Sequence, residues 1–249
     1  MKQEFIDQLN QKWKHYFPMA EMPVGVFYAN DLHGARYVNR PPENKRGYTC
    51  MFSQLSFLHR GEAVAFDRNN IGCFGAMKTI YGGNEDKEAE VKLLVEIEKF
   101  KCNREAVMQM DKINPKAEPS GNYLIMKPSN LLTEADDPEI FCIFATNDVI
   151  SAMHTLLGFE QDRIDNIIIP FGSGCEQLLS FAFNEAKSEN PRAVLGGMDT
   201  AMRNCIKPDM LTLSVAAKQM ERIVSYMDDT FLNTYIWDNL KKRHNIANR

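Results

Sequence analysis

Six consecutive apolar residues, Ile140, Phe141, Cys142, Ile143, Phe144 and Ala145, have no polar side chain among them to face water. A strand built from them has to be covered on both faces, because neither set of alternate side chains can be left exposed. The run is also far too short for the ~20 residues that a membrane-spanning helix needs. A second apolar triplet, Ile167-Ile168-Ile169, ends at Pro170 and predicts another buried strand. Each run is followed by a helical pattern. After Asn147 come Ile150, Met153, Leu156 and Leu157; after Cys175 come Leu178, Leu179, Ala182 and Phe183. These features demand a central sheet with helices packed on it.

The rest of the chain fits that frame. Phe5, Leu9 and Trp13 recur at helical spacing, and Pro18 and Pro23 stop the helix before an expected strand over 24–28. Residues 30–47 read as a long polar loop. Thr49 is placed to cap a helix carrying Met51, Phe52, Leu55 and Leu58, with a strand expected over 63–66. The segment Gly72-Cys73-Phe74-Gly75 opens a short helix ending near Gly82-Gly83. A charged helix over 88–100 turns Val91, Leu94 and Val95 inward, and the charges from 84 to 116 read as a solvated face. Strands are expected over 123–126 and 211–215, and helices over 216–227 and 230–244. Strands and helices mix without strict alternation, and no composition shift marks a linker at 114–121 or 133–138. The expectation is a single α+β domain over residues 1–249, a mixed β-sheet with helices packed on it.

Composition narrows the function classes. Lys+Arg 29 against Asp+Glu 33 gives a net charge of −4 in 249 residues, which argues against nucleic acid as a partner. The first ten residues contain no apolar export core, so a cytoplasmic location is expected, without membrane attachment and with reduced thiols. The cysteines (six in number) are then not read as a disulfide framework, and no C-x-x-C pair offers a zinc ribbon.

Two features could carry chemistry. Gly172-Ser173-Gly174 lies between a strand and a helix, where backbone N–H groups and the positive helix end suit an anion. The third glycine of a dinucleotide loop would fall at Gln177, and no phosphate-binding lysine follows. The second feature is the position of three cysteines. Cys50, Cys73 and Cys175 each fall at an expected helix start, where the dipole favours a thiolate, at once a nucleophile and a soft metal ligand. Cys102, Cys142 and Cys205 do not share that setting. Any of these thiols can instead be a small hydrophobe in the core. Arg203, i+4 from Asp199 and following Gly196-Gly197, is a candidate ligand contact, with a surface pair to Asp199 as the plainer role. His59 suits a helix C-terminus, His154 a structural position, and Lys78 a solvated one.

The order of short motifs resembles domain-of-unknown-function family 169, an uncharacterised prokaryotic family. The resemblance rests on Pro23-Val24-Gly25-Val26-Phe27, Tyr48-Thr49-Cys50, Gly72-Cys73-Phe74-Gly75-Ala76, residues 140–157, Gly172-Ser173-Gly174-Cys175, and Gly196-Gly197-Met198-Asp199 with Arg203. It implies cysteines at the positions of Cys50, Cys73 and Cys175, and it lends no reaction. Three such thiolates could hold an iron–sulfur cluster with one open or non-cysteine position, or a single soft metal. The expected function is therefore a thiolate-lined pocket. Its metal ligands are Cys50, Cys73 and Cys175, with Gly172, Gly174 and Arg203 as contacts to a small-molecule ligand. The alternatives are a metal-free cysteine-dependent enzyme and a non-catalytic ligand-binding or regulatory module. The oligomeric state stays open.

Overall fold

Residues 140–146 take the inner position that their composition demands. The computed structural model describes residues 1–37, 51–82, 86–116 and 118–247. In chain order, helix α1 (Gln3–Tyr16) leads to strands β1 (Val24–Ala29) and β2 (Arg36–Tyr37). Helices α2 (Met51–Gln54) and α3 (Ser56–His59) precede β3 (Val64–Phe66). Helices α4 (Phe74–Tyr81), α5 (Lys87–Val91) and α6 (Arg104–Ile113) follow. Then come β4 (Tyr123–Pro128), β5 (Ile140–Thr146), α7 (Asn147–Gly158), β6 (Ile167–Ile168), α8 (Phe181–Ala186), β7 (Ala193–Gly196), β8 (Met210–Ala216), α9 (Ala217–Tyr226) and α10 (Tyr235–Ala247). Two stretches are π-helical: Lys92–Ile97, continuing α5, and Glu176–Ser180, running into α8.

Among the described residues the eight strands form one mixed sheet in the order β2-β3-β4-β1-β5-β8-β7-β6. Its outer pairs, β2 with β3 and β6 with β7, are parallel; the inner pairs are antiparallel. Strand β5 lies between β1 and β8, and its side chains divide between two apolar layers. Phe141, Ile143 and Ala145 join Leu9 and Trp13 of α1, Met153 of α7, Ile223 of α9 and Trp237 of α10. Ile140, Cys142 and Phe144 join Phe52 of α2, Ile80 of α4, and Leu178 and Leu179 of the second π-helical stretch. Burial on both faces explains the unbroken apolar run, at about 2–3 kcal/mol for each large side chain removed from water.

Three expectations change. The triplet at 167–169 is not interior: Ile167 and Ile168 form a half-buried edge strand paired only to β7, and Ile169 is 60% exposed. The charged segment is not uniformly solvated. Glu90 and Asp111 are buried, and Lys78 is engaged by both of them, with Lys87 also on Asp111 at 2.5 Å. That segment also holds a second helix, α6, whose start is fixed by Asn103 accepting from the Ala106 N–H at 2.9 Å. Strand β2 falls inside the expected loop at 30–47, and β7 is an element that the pattern reading does not identify.

On the first layer, the ends of the chain are tied by polar groups. The Trp237 indole donates to the Tyr16 carbonyl at 2.8 Å. Asp136, almost fully buried, accepts from Lys127 at 2.9 Å and from the Thr133 N–H at 2.8 Å, with the His33 ring 2.9 Å away. Burial alone would raise the Asp136 carboxyl, but these partners outweigh it and hold the carboxyl low. The candidate site lies on the opposite layer.

Candidate functional site

The loop that carries Gly172 and Gly174 turns from the edge strand onto the second layer and starts a helix. The start is a reciprocal capping box: the Ser173 N–H donates to Glu176 Oε2 at 2.7 Å, and the Glu176 N–H donates to Ser173 Oγ at 3.3 Å. The S-x-x-E spacing was legible in the sequence and places the cap at Ser173, with Cys175 inside the first turn. The next open donor, the Gly174 N–H, meets Asp199 Oδ2 at 2.8 Å. The other oxygen of Asp199 accepts from the Ala201 N–H at 2.9 Å. The anions at this helix start are therefore the protein's own carboxylates. Asp199 does not serve as an ion-pair partner of Arg203 but as the link between two loops.

Gly174 is hemmed in. A Cβ there would lie 2.6 Å from Met202 Cγ and 3.0 Å from Phe52 Cε2. The glycine thus lets α2, the loop after β7 and the start of the second π-helical stretch close on one point. Gly197, at φ +78°, makes the bend that brings Asp199 there. Arg203 holds the far side of the same loop: its guanidinium donates to the carbonyls of Gly197 at 3.1 Å, Met210 at 2.7 Å and Pro208 at 2.6 Å.

Cys73 is the N-cap residue of α4, and the Met77 N–H donates to its carbonyl at 2.9 Å. Helix α4 packs along the second π-helical stretch. Ser180 Oγ donates to the Thr79 carbonyl at 3.2 Å, and Tyr28 joins the Ile80 carbonyl to the ring of Phe183, 5.4 Å from its own. These contacts set the helix that starts at Cys73 against the one that carries Cys175. Both thiols border the second apolar layer, Cys175 buried and Cys73 half-buried. Cys50 lies outside the described residues.

The other cysteines separate by environment. Cys142 is sealed in β5, its sulfur 3.4 Å from Ser214 Oγ and 3.6 Å from the Leu178 carbonyl, and burial pushes its thiol up to about 12. Cys102 is exposed. Cys205, half-buried, also borders the second layer, next to the Arg203 loop. Among the described residues no three His, Cys, Asp or Glu side chains assemble as a metal site. His59 pairs with Glu21 at 2.6 Å, and His154 is exposed.

A carboxyl that the sequence reading passed over completes the surroundings. Glu98, half-buried at the end of the first π-helical stretch, has its proton affinity raised by burial and then by the Asp199 charge. Three residues past it, the chain sets the Lys101 ammonium 3.9 Å from the centre of the Phe171 ring, just before Gly172. Nothing in the local sequence pairs Glu98 with Asp199; only the fold brings them together. π-Helical stretches concentrate at functional sites, and here one ends near Asp199 while the other begins at the residue after Cys175.

A mixed-sheet α+β protein with two cysteine-bearing helix starts on one layer is the class these observations define. The chain belongs to domain-of-unknown-function family 169, described as "Uncharacterised ArCR", whose model matches residues 14–226. No curated protein and no solved structure matches it. No helix among the described residues is long and apolar enough to cross a membrane.

Proposed function

We infer that this is a cytoplasmic, single-domain binding protein whose site takes a soft metal or an iron–sulfur cluster on Cys50, Cys73 and Cys175. The observation that carries the reading is the contact of Phe52 with Gly174, beside the helix that starts at Cys73. Phe52 follows Cys50 by two residues, a reach of at most ~7 Å, and Gly174 precedes Cys175 by one. The short chain lengths from Cys50 to Phe52 and from Gly174 to Cys175 support a shared site for these thiols.

The nearby charge favours a cation over a free anion. The Gly174 N–H is already spent on Asp199, and Glu98 adds a second carboxyl close by. In this reading Gly172 and Gly174 shape the loop that presents Cys175, and Arg203 holds the loop that presents Asp199. A tetrahedral soft-metal site needs sulfurs about 2.3 Å from the ion. The metal-free enzyme and the non-catalytic module have no comparable observation behind them.

Anaerobic purification with metal analysis and a visible spectrum tests the reading. Cobalt(II) titration of metal-free protein then gives a thiolate charge-transfer band if thiolates bind it. The expected result is stoichiometric metal, lost in Cys50→Ser, Cys73→Ser and Cys175→Ser and kept in Cys102→Ser. Metal-free protein that gives no cobalt–thiolate band would overturn it, as would full retention of metal in Cys73→Ser.

A further inference from the structure

Beside the cysteine-bearing loop a groove of about 420 Å³ runs between α6 and residues 170–171, and it falls within the size range of small-molecule sites. Its apolar wall is built from Met110, Ile113, Phe171 and Phe181. Ile113 is 79% exposed and Phe171 61% exposed, so two large apolar side chains are held open to water at the edge of one concavity.

The groove also has one charged end. The Lys101 ammonium lines it, resting over the Phe171 ring, and among the described residues Lys101 forms no ion pair. Its backbone is fixed, because the Lys101 N–H donates to the Leu94 carbonyl at 3.0 Å. Glu176, joined to the lining residue Asn114, is occupied elsewhere: it accepts from Asn114 Nδ2 at 2.9 Å and from the Ser173 N–H. The amide of Gln109, exposed at the rim, adds a hydrogen-bonding group.

We propose that this groove binds a small organic anion with a flat apolar body, such as an aromatic carboxylate. The carboxylate pairs with Lys101, and the body lies on Phe171, Ile113 and Met110. Charge complementarity selects the anion: a cation would meet the ammonium, and a neutral body would leave it unpaired. The site uses none of the thiols and stands whether or not they bind metal.

The test compares 2-naphthoate with its uncharged counterpart 2-naphthamide by titration calorimetry on the full chain. Saturable one-site binding is expected, with the acid about fivefold tighter, the scale of a partly exposed ion pair. Lys101→Met removes the preference for the acid, and Phe171→Ala weakens both compounds. Both changes are at solvent-accessible side chains, so thermal unfolding of each variant should match the parent within a few degrees. Cys73→Ser, which disrupts the proposed metal site, leaves naphthoate binding unchanged. The proposal fails if neither compound binds saturably, if both bind equally, or if Lys101→Met keeps the preference.

Discussion

The Asp199 carboxylate lies 2.8 Å from the backbone nitrogen of Gly174, joining the loop after β7 to the helix that carries Cys175. It supplies what a helix N-terminus lacks, an acceptor for an unpaired N–H and a negative charge on the positive end of the dipole. Asp199→Ala removes both and is expected to cost about 1–2 kcal/mol, the range of a lost cap. Asp199→Asn keeps an acceptor and should cost only about 0.5 kcal/mol. Urea unfolding of the two variants checks the ordering; equal losses would mean that the hydrogen bond does not matter.

The Lys78, Lys87, Glu90 and Asp111 network predicts an acid-sensitive contribution. Burial alone would raise the Asp111 carboxyl, but the hydrogen bonds of Lys78 and Lys87 outweigh it and lower the group from 3.8 to about 2. Its folded value is depressed, so the stabilisation is complete above the unfolded value near 4 and is lost as pH falls through about 2. The size is about 2 kcal/mol. Asp111→Asn should therefore lower stability at pH 7, with the gap to the parent shrinking to about a third by pH 2.5. Denaturant titrations at pH 7, 4 and 2.5 would show it; a pH-independent difference would assign the loss to packing alone.

How far the sequence spoke depends on whether a feature is local. The six-residue apolar run has one physical solution, burial on both faces, and β5 adopts it. The helix starts at Cys73 and near Cys175 were also readable, since glycine and cap residues act within one turn. The triplet at 167–169 misled because apolar content fixes a strand but not its place in the sheet, and β6 is at the edge. Glu90 and Asp111 look like solvated charges until Lys78 arrives from another helix. The meeting of Asp199 with Gly174, 25 residues apart in sequence, is set by the β7–β8 connection and has no local signature.

The cysteines should differ sharply in chemical access. Cys142, fully buried and with its thiol raised to about 12 by desolvation, should resist iodoacetamide in the native state and react only after unfolding. Exposed Cys102 should be modified first. Timed alkylation followed by peptide mass spectrometry reads both. Native-state labelling of Cys142 at a rate near that of Cys102 would show that β5 is not held between its two layers.

Gly174 offers a test of how tightly the loops close around Cys175. A methyl group there would lie 2.6 Å from Met202 Cγ and 3.0 Å from Phe52 Cε2, too close for either to stay in place. Gly174→Ala should then cost about 1–3 kcal/mol, as overpacking does in a close-packed interior. Shortening Met202 removes the nearer contact, so Met202→Ala combined with Gly174→Ala should be more stable than the sum of the two single losses predicts. The coupling expected for residues in contact is about 0.5–3 kcal/mol. A double-mutant cycle in urea measures it directly. Simple additivity would mean that the clash is relieved elsewhere, through Phe52 and α2, and metal content of the same variants would then report whether moving α2 disturbs the site proposed for Cys50, Cys73 and Cys175.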